Sequence, residues 1–309
     1  MELNENAEID TSQIDDVRDS GGGGFGGGGG GFGGLPIGGG GLTGIVISVV
    51  VALVTGYFGI NHLTGGGSRP SGDNTRLRQE CAQSDRLKQL DCRNALYVNS
   101  IQNYWSEAMP HTFNKSYWPA KTVYFSRAVR TGCGNADSGV GPFYCPADDR
   151  VYIDLSFYRV LSDSLGAPGE FAQPYVLAHE YGHHIQDLLG TEAQMRRAQQ
   201  RDPKNANQLS VRLELQADCY AGVWAKNATG TESAEGTKIF KSITAQDIQQ
   251  GLDTAGKIGD DTLQRRSGGG VNPAEFTHGT SAQRQHWFST GFQTGTAKSC
   301  DTFGAASLG

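Results

Sequence analysis

Apolar residues recur at helical spacing in five segments of the C-terminal three quarters of the chain. An amphipathic helix places its apolar side chains three or four positions apart. Segments with this pattern cover residues 81–109, 174–189, 211–224, 243–258 and 281–292. Pro110 follows the first segment and Gly190 follows the second, and both residue types commonly end helices. The sequence therefore predicts a mainly helical domain, with an exposed polar helix and loop over residues 191–210.

Two short segments carry the β-branched and aromatic residues that favour strands. They are residues 122–126 (Thr-Val-Tyr-Phe-Ser) and 151–155 (Val-Tyr-Ile-Asp-Leu). Residues 132–149 between them are rich in Gly, Pro and Cys, which is typical of a connection. Because these strands precede most of the helices, we expect an α+β fold with a small sheet.

The first 41 residues have a composition unlike that of a folded domain. Residues 1–20 carry seven acidic side chains and one basic side chain, and residues 21–41 contain sixteen glycines. Such a chain buries too little apolar surface to offset the loss of backbone entropy on folding. We therefore predict a disordered acidic and Gly-rich tail over residues 1–41 that acts as a flexible spacer. Self-association through Phe25 and Phe32 is the alternative.

Residues 42–60 form an uncharged segment that is rich in Val and Ile. A helix of this length measures about 28 Å, which is enough to cross the core of a bilayer. A buried helix or a core strand is the alternative, but the flanking segments offer nothing to bury it. We predict a transmembrane helix over 42–60, a polar linker over 61–75 and a folded domain over 76–309.

The formal charge of the chain is concentrated at its beginning. The seven acids and one base of residues 1–20 give a balance of −6, and the whole chain also carries −6. The remainder of the chain is therefore formally neutral. Without a basic stripe, no nucleic acid partner is expected. No pattern in the chain sets an oligomeric state.

The helix predicted over 174–189 contains the sequence His-Glu-Tyr-Gly-His at 179–183. His179 and His183 lie one turn apart on the same helix face, so both imidazoles can bind one metal ion. Glu180 projects beside them, where its carboxylate can act on a zinc-activated water. A surface helix with two solvated histidines is the alternative. The apolar residues before His179 argue against it, because buried polar side chains need partners.

A third ligand is expected from a different part of the chain. The metzincin pattern requires a glycine and a histidine three and six positions after His183, whereas the chain has Gln186 and Leu189 there. The gluzincin pattern, Glu-x-x-x-Asp on a second helix, matches Glu214 and Asp218. Because these two residues share a helix face, Glu214 can bind the metal while Asp218 accepts a hydrogen bond from a ligand imidazole. A solvated helix face is the alternative, but the neighbouring residues are mostly apolar.

Every cysteine of the chain follows the predicted membrane span. The six are Cys81, Cys92, Cys133, Cys145, Cys219 and Cys300. An even number on one side indicates disulfides and an oxidising compartment. Six cysteines allow fifteen pairings, and we predict Cys81–Cys92, Cys133–Cys145 and Cys219–Cys300. A metal-binding role is not favoured, because the chain has no Cys-x-x-Cys and Cys219 lies about 140° around the helix from Glu214.

The charges that flank residues 42–60 favour a different location for the domain from the one that the cysteines indicate. Arg69, Arg76 and Arg78 follow the segment and Arg18 precedes it, so the positive-inside rule would keep the large domain in the cytoplasm. Long domains often cross membranes regardless of flanking charge. The cysteines therefore decide the expectation, which is a single-pass membrane protein with an extracytoplasmic domain (periplasmic or extracellular).

Several longer motifs together resemble a bacterial family of neutral zinc metallopeptidases. They are His-Glu-Tyr-Gly-His-His-Ile-Gln at 179–186, Leu-Glu-Leu-Gln-Ala-Asp-Cys-Tyr-Ala-Gly-Val-Trp at 213–224, Gly-Pro-Phe-Tyr-Cys-Pro at 141–146, Val-Tyr-Ile-Asp at 151–154 and His-Gly-Thr-Ser-Ala-Gln-Arg at 278–284. The resemblance covers about residues 76–303, and the family is similar to the gluzincins. It implies a zincin-like metallopeptidase domain and an extracytoplasmic location. It also implies zinc bound by His179, His183 and Glu214, with Glu180 as the general base.

The resemblance and the metal-binding pattern together imply an enzyme that hydrolyses peptide or protein substrates. Residues 140–155 are the candidate for an edge strand that pairs with an extended substrate, and an internal strand is the alternative. His278, which precedes Gly279, resembles a histidine of related membrane peptidases and is the candidate for stabilising the oxyanion; a structural histidine is the alternative. His184 is expected to be structural, because it lies about 100° around the helix from His183.

Two functions of different classes fit the sequence. One is an active, membrane-anchored zinc metallopeptidase. The other is a catalytically idle, zinc-stabilised module that recruits protein partners at the membrane through its Gly/Phe tail. Glu180 favours the peptidase, since a purely structural zinc site has no use for that carboxylate.

Overall fold

The computed structural model describes residues 1–18, 72–167, 169–268 and 270–309. The described α-helices are α1 (Thr75–Cys81), α2 (Leu90–Phe113), α3 (Phe157–Asp163), α4 (Ala172–Leu189), α5 (Thr191–Arg201), α6 (Ala206–Asn227), α7 (Ala245–Lys257), α8 (Asp260–Arg266) and α9 (Ser281–Thr294). The described strands are β1 (Glu2–Leu3), β2 (Ile14–Asp16), β3 (Lys121–Tyr124), β4 (Ala128–Thr131), β5 (Gly134–Asp137), β6 (Phe143–Cys145), β7 (Arg150–Ile153) and β8 (Phe240–Ser242). The expectation of a mainly helical α+β fold is confirmed.

The helix predicted over 81–109 differs from the observed helix α2 at both ends. α2 begins at Leu90, because residues 82–89 form turns and a short 3₁₀ helix. It also continues through Pro110, which the sequence predicted as its end. A proline in the last turn of a helix removes a single backbone hydrogen bond. Asn114 then ends the helix in the left-handed conformation, at φ 53°.

A four-stranded sheet has the order β2-β3-β7-β6. Strands β2 and β7 both pair in parallel with β3, whereas β6 pairs antiparallel with β7 and forms one edge of the sheet. Residues 132–149, predicted as a connection, contain β5 and this edge strand. These strands are too short to produce an alternating pattern that the sequence could reveal.

Residues 1–18 belong to the folded domain, so the prediction of a disordered tail is wrong for them. β2 extends the four-stranded sheet next to β3, and β1 pairs with β8. Glu2, Asp15 and Asp16, which contributed to the prediction of disorder, have basic partners. Asp15 Oδ1 lies 3.0 Å from Lys121 Nζ, and Arg18 donates to Asp91 Oδ2 at 2.8 Å. The prediction of disorder relied on amino-acid composition, which does not show the tertiary contacts that neutralise charged side chains. It was therefore wrong for this segment.

Residues 19–71 lie outside the described residues. They include the Gly-rich segment at 21–41, the predicted transmembrane helix at 42–60 and most of the predicted linker at 61–75. In the described part of the chain, no helix is both long and apolar enough to span a bilayer.

Three disulfides confirm the predicted pairing of the cysteines. They are Cys81–Cys92, Cys133–Cys145 and Cys219–Cys300, with Cα–Cα distances of 5.4, 5.8 and 5.6 Å. These distances fall within the range of about 4.4–6.8 Å that disulfides require. The first bond joins α1 to α2, the second holds β6, and the third ties α6 to the C-terminal segment.

Helix α6 packs closely against both α4 and α9. Gly182 on α4 allows this approach, because a Cβ there would lie 2.9 Å from Ala217 Cα on α6. At the other crossing, the backbone of Phe288 on α9 leaves no room for a Cβ at Gly222. The first of these contacts brings the histidine motif of α4 within reach of the acidic residues on α6.

Candidate metal centre

The facing surfaces of α4 and α6 bring the three predicted ligands together. His179 Nε2 lies 3.1 Å from Glu214 Oε2, and His183 Nε2 lies 3.5 Å from Glu214 Oε1. One ligand atom from each residue lies within 4.8 Å of the other two. Within the described ranges, no other cluster of histidine, cysteine and acidic side chains has this geometry.

The spacing of the three ligands fits a tetrahedral zinc ion. Zinc lies about 2.0–2.2 Å from nitrogen and oxygen ligands, so tetrahedral ligand atoms are separated by roughly 3.3–3.5 Å. The separations of 3.1 Å (His179 Nε2 to Glu214 Oε2) and 3.5 Å (His183 Nε2 to Glu214 Oε1) are close to this value, and one ligand atom from each of the three residues lies within 4.8 Å of the other two. Two imidazole nitrogens and one carboxylate are also a donor set found in catalytic zinc sites, where the fourth position remains open.

Asp218 orients the first histidine. His179 Nδ1 donates to Asp218 Oδ1 at 2.9 Å, which leaves Nε2 facing Glu214. Asp218 is fully buried and also accepts hydrogen bonds from the Tyr175 hydroxyl at 2.6 Å and from Arg284 Nε at 2.8 Å. Burial acts to raise the pKa of Asp218, but Arg284 and His179 lower it to about 2. Asp218 is therefore a permanent acceptor for the imidazole N–H.

Gln186 orients the second histidine. Its Oε1 accepts a hydrogen bond from His183 Nδ1 at 2.9 Å, and its Nε2 donates to the carbonyl of Leu213 at 2.7 Å. In the sequence, Gln186 is informative as a departure from the metzincin pattern. Its position three residues after His183, on the same helix face, was the available signal.

Tyr175 and Arg284 are two further site residues to which no sequence pattern assigns a role. Tyr175 lies in the apolar run before the motif, so the sequence does not indicate that its hydroxyl group has a hydrogen-bond partner. Arg284 ends the family-like motif at 278–284, which was the signal for its importance. Both side chains are buried and reach Asp218.

The electrostatics of the site favour a cation. Burial acts to lower the pKa of His179, but the carboxylates of Asp218 and Glu214 raise it to about 10. Burial acts to raise the pKa of Glu214, but His183 and His278 hold it well below its ordinary value. The site therefore holds protons strongly when no metal is bound, and a bound metal ion would replace them.

Glu180 lies beside the ligands and is only 6% exposed. Burial raises the pKa of Glu180 above its ordinary value, although His179 and His183 act to lower it. The backbone of Tyr144 in β6 also acts to lower the pKa of this carboxyl group. Strand β6 packs against α4 and therefore lies close to the site. A carboxyl group with a raised pKa is suited to taking up and releasing a proton.

An apolar cavity opens next to Glu180. His179, Glu180 and His278 border it. Its apolar lining includes Val140, Pro142, Phe157, Val160, Leu165 and Val176. The position and chemistry of the cavity would allow it to take an apolar side chain of a substrate.

His278 borders this cavity with an unused ring nitrogen. Its Nε2 is buried without a hydrogen-bond partner among the described residues. Its Nδ1 lies 2.9 Å from Thr277 Oγ1 and 3.3 Å from Asp260 Oδ1. Asp260 also accepts the backbone N–H groups of Thr277, His278 and Gly279, which fixes the loop. A purely structural histidine would be expected to use both nitrogens.

His184 faces away from the ligands, in agreement with its predicted structural role. Its Nε2 donates to the carbonyl of Trp118 at 2.7 Å, and its Nδ1 lies 3.1 Å from the hydroxyl of Tyr144. Burial lowers the pKa of His184 to about 4, so the ring is neutral near pH 7. The residue connects the loop before β3 to strand β6.

Comparison with known proteins agrees with this geometry. Residues 3–303 match the model of a family described as "Putative neutral zinc metallopeptidase". The chain belongs to this family. The match is longer than the resemblance over 76–303 that the sequence motifs supported, and it includes strand β2. The N-terminal segment is thus part of the family's common sequence.

Two bacterial relatives illustrate the extent of the similarity. The uncharacterized protein YpfJ of Escherichia coli K12 is 42% identical over 298 residues, which cover 96% of each chain. The uncharacterized protein Rv2575 of Mycobacterium tuberculosis H37Rv is 45% identical over 228 residues, which cover 73% of this chain and 75% of the relative. No solved structure matches the chain.

Proposed function

We propose that the chain is a zinc-dependent peptidase in which Glu180 is the general base. The observation that carries this proposal is the position of Glu180, which is buried beside three convergent ligands and borders an apolar cavity. A purely structural zinc site usually closes with four protein ligands, whereas this site offers three. Family membership supports the coarser assignment of a zinc metallopeptidase.

The residues of the site divide the chemistry of peptide hydrolysis between them. A zinc ion held by His179, His183 and Glu214 would supply a Lewis acid that polarises a peptide carbonyl and acidifies a water molecule. Glu180 takes up the proton of the attacking water and delivers it to the leaving nitrogen. The position of Glu180, buried beside the three ligands, allows its carboxyl group to carry the proton between the two steps.

The edge of β6 that pairs with no other described strand supports binding of an extended substrate. An extended peptide can add to the edge of a sheet through backbone hydrogen bonds. β6 (Phe143–Cys145) forms such an edge and lies against α4. The substrate strand expected within 140–155 is therefore proposed to be β6. The neighbouring cavity would hold an apolar side chain next to the scissile bond, so the proposed substrates are unfolded segments that contain apolar residues.

Digestion of an unfolded protein tests this proposal. The full-length chain, loaded with zinc, should cleave a reduced and alkylated test protein, and chelation should stop the reaction. Mass spectrometry of the fragments should place apolar residues at the cleavage sites. Intact substrate after incubation with fully loaded protein would contradict peptidase activity, and cleavage without any apolar preference would contradict the role of the cavity.

His278 is proposed to stabilise the oxyanion that forms on the peptide carbonyl. If the Thr277 hydroxyl donates to Nδ1, Nε2 carries a hydrogen that no described residue accepts. Removal of a single oxyanion donor typically lowers kcat by about 10²–10³-fold. His278→Gln is therefore expected to lower kcat on this scale while zinc affinity stays unchanged. His286→Gln, at an exposed histidine on α9, is the matched control. Normal kcat in His278→Gln would leave the residue with a structural role only.

The three disulfides support a location outside the cytoplasm. Disulfides persist in oxidising compartments and are rare in the cytosol. Residues 1–18 share the compartment of the domain, because they form part of the same sheet. A single crossing by residues 42–60 would place residues 1–18 and 72–309 on opposite sides of a membrane. We therefore propose that both described parts lie on the extracytoplasmic side, an arrangement that the single-pass transmembrane helix predicted over 42–60 does not fit.

Cysteine labelling tests whether both parts share one compartment. Asn6→Cys and Ala234→Cys place a thiol at exposed positions in the two parts of the fold. A membrane-impermeant maleimide should label both variants to the same extent in spheroplasts, and lysis should not increase either signal. Labelling of position 234 alone would mean that the N-terminal segment lies on the other side of the membrane.

A further inference from the structure

Two glutamine side chains connect His183 to a disulfide. Gln186 accepts from His183 Nδ1 at 2.9 Å, and its Nε2 lies 3.2 Å from Gln216 Oε1. Gln216 in turn donates through its Nε2 to the carbonyl of Cys300 at 2.9 Å. Cys300 is bonded to Cys219 on α6. We call Gln186 and Gln216 the amide chain.

Two backbone carbonyls determine how both amides are oriented. A carbonyl only accepts hydrogen bonds, so the NH₂ group of Gln216 must face Cys300 and its oxygen must face Gln186. Gln186 then meets two acceptors, Gln216 Oε1 and the carbonyl of Leu213. Its NH₂ group must face them, and its oxygen must face His183.

The orientation of Gln186 decides the tautomer of His183. An amide oxygen can only accept, so the imidazole must carry its proton on Nδ1. The lone pair is then on Nε2, the atom that faces Glu214 and the proposed zinc position. Gln186 is fully buried and Gln216 is 6% exposed, so water does not readily replace either contact.

We propose that Gln186 and Gln216 are positioning residues that hold His183 in its metal-binding tautomer, and that the Cys219–Cys300 disulfide fixes the far end of the amide chain. Cys219 lies three residues after Gln216, which is close to one helical turn. The bond therefore holds the Cys300 carbonyl beside the helix that carries Gln216. The amide chain acts on His183 as Asp218 acts on His179. The inference rests on the proposed metal site but does not require peptidase activity.

Two substitutions at Gln186 separate positioning from simple packing. Gln186→Met keeps the length of the side chain but removes the acceptor for His183. Gln186→Glu keeps an oxygen opposite His183 Nδ1, and its other oxygen, which is protonated because it is buried between two acceptors, donates to the Leu213 carbonyl. Loss of a residue that orients a metal ligand typically weakens metal binding by about 10–100-fold. The zinc dissociation constant, measured by chelator competition on the full-length chain, should rise on this scale for Gln186→Met and stay near the wild-type value for Gln186→Glu.

The matched control is Gln173→Met on the same helix. Gln173 lies in the first turn of α4 and contacts none of the ligands. The Gln173→Met variant should bind zinc with the same dissociation constant as the wild type. Thermal unfolding of the zinc-free proteins supplies the second readout, because a residue that only packs would lower the melting temperature without changing zinc affinity.

Gln216→Met tests the second member of the amide chain. It should weaken zinc binding less than Gln186→Met does, because Gln186 keeps its bond to the Leu213 carbonyl. In the double variant the two effects should not add, since both act through one contact with His183.

The outcomes distinguish this inference from the proposed function. Wild-type zinc affinity in Gln186→Met, or equal losses in Gln186→Met and Gln186→Glu, would overturn the positioning role. Full additivity in the double variant would overturn the connection between the two amides. If zinc binds as expected but no substrate is cleaved, the proposed peptidase activity fails while the inference about the amide chain stands.

Discussion

Replacing Glu180 with Gln is expected to abolish peptide cleavage while the protein keeps its zinc. The amide has nearly the same shape as the carboxyl group, but it cannot take up the proton of the attacking water. General acid–base catalysis contributes typically about 10²–10⁴-fold to the rate, and we expect a loss of kcat/KM in this range. The three ligands are untouched, so the zinc content of the variant should equal that of the wild type.

Glu170→Gln is the matched control for this prediction. Glu170 is exposed and lies just before α4, where it contacts none of the site residues. This variant should cleave substrate at the wild-type rate. Cleavage by Glu180→Gln at a near-normal rate would show that Glu180 is not the base. Loss of zinc from Glu180→Gln would assign the residue to metal binding instead.

Asp218→Asn is expected to destabilise the metal-free protein strongly. The substitution leaves the guanidinium group of Arg284, which is 3% exposed, without its carboxylate partner. Removing one partner of a buried ion pair costs typically about 3–5 kcal/mol. Urea denaturation of the metal-free chain should show a fall in the free energy of unfolding on this scale. Asp253→Asn, at an exposed position on α7, should show almost none.

A double variant separates the two roles of Asp218. Asp218→Asn combined with Arg284→Met removes the unpaired charge, so most of the stability should return. Zinc binding should remain about tenfold weaker or more, because the neutral amide is a poorer acceptor for His179. Recovery of both properties would mean that Asp218 serves only as the partner of Arg284. Recovery of neither would mean that the buried pair is not the main source of the loss.

The candidate metal site was predictable because its signals are local. A spacing of four residues puts His179 above His183 on one helix, and the same spacing relates Glu214 to Asp218. Helical periodicity therefore revealed both halves of the site. Their meeting depends on the close approach of α4 and α6, which Gly182 permits. That approach is a tertiary contact, and the sequence indicated it only through the resemblance to a family of zinc metallopeptidases.

Other parts of the structure were hidden because their determinants lie far apart in the chain. β2 is only three residues long, and its partner strand β3 follows more than one hundred residues later. Arg284 and Gln216 gain their roles from contacts with residues on other helices. No periodic pattern encodes such contacts. Strand β6, within the predicted connection at 132–149, was missed for a different reason. Its three residues are too few to show an alternation of apolar and polar side chains.

The N-terminal segment affects how the protein should be studied. A fragment that begins at residue 76 lacks β2 and the Arg18 side chain that donates to Asp91. It would expose the edge of β3 and leave Asp91 without this partner. Experiments on zinc binding and cleavage therefore require residues 1–18 together with the remainder of the domain.

The most direct test of the central claim is a zinc titration of the metal-free, full-length chain, with cleavage of an unfolded protein as the readout. Because His179, His183 and Glu214 form one zinc site, we expect cleavage activity to rise linearly with added zinc. The activity should reach a plateau at about one equivalent of zinc per chain. His183→Ala should show no such rise below micromolar free zinc. Cleavage that is independent of zinc, or a wild-type protein that binds one zinc ion and cleaves nothing, would contradict the account.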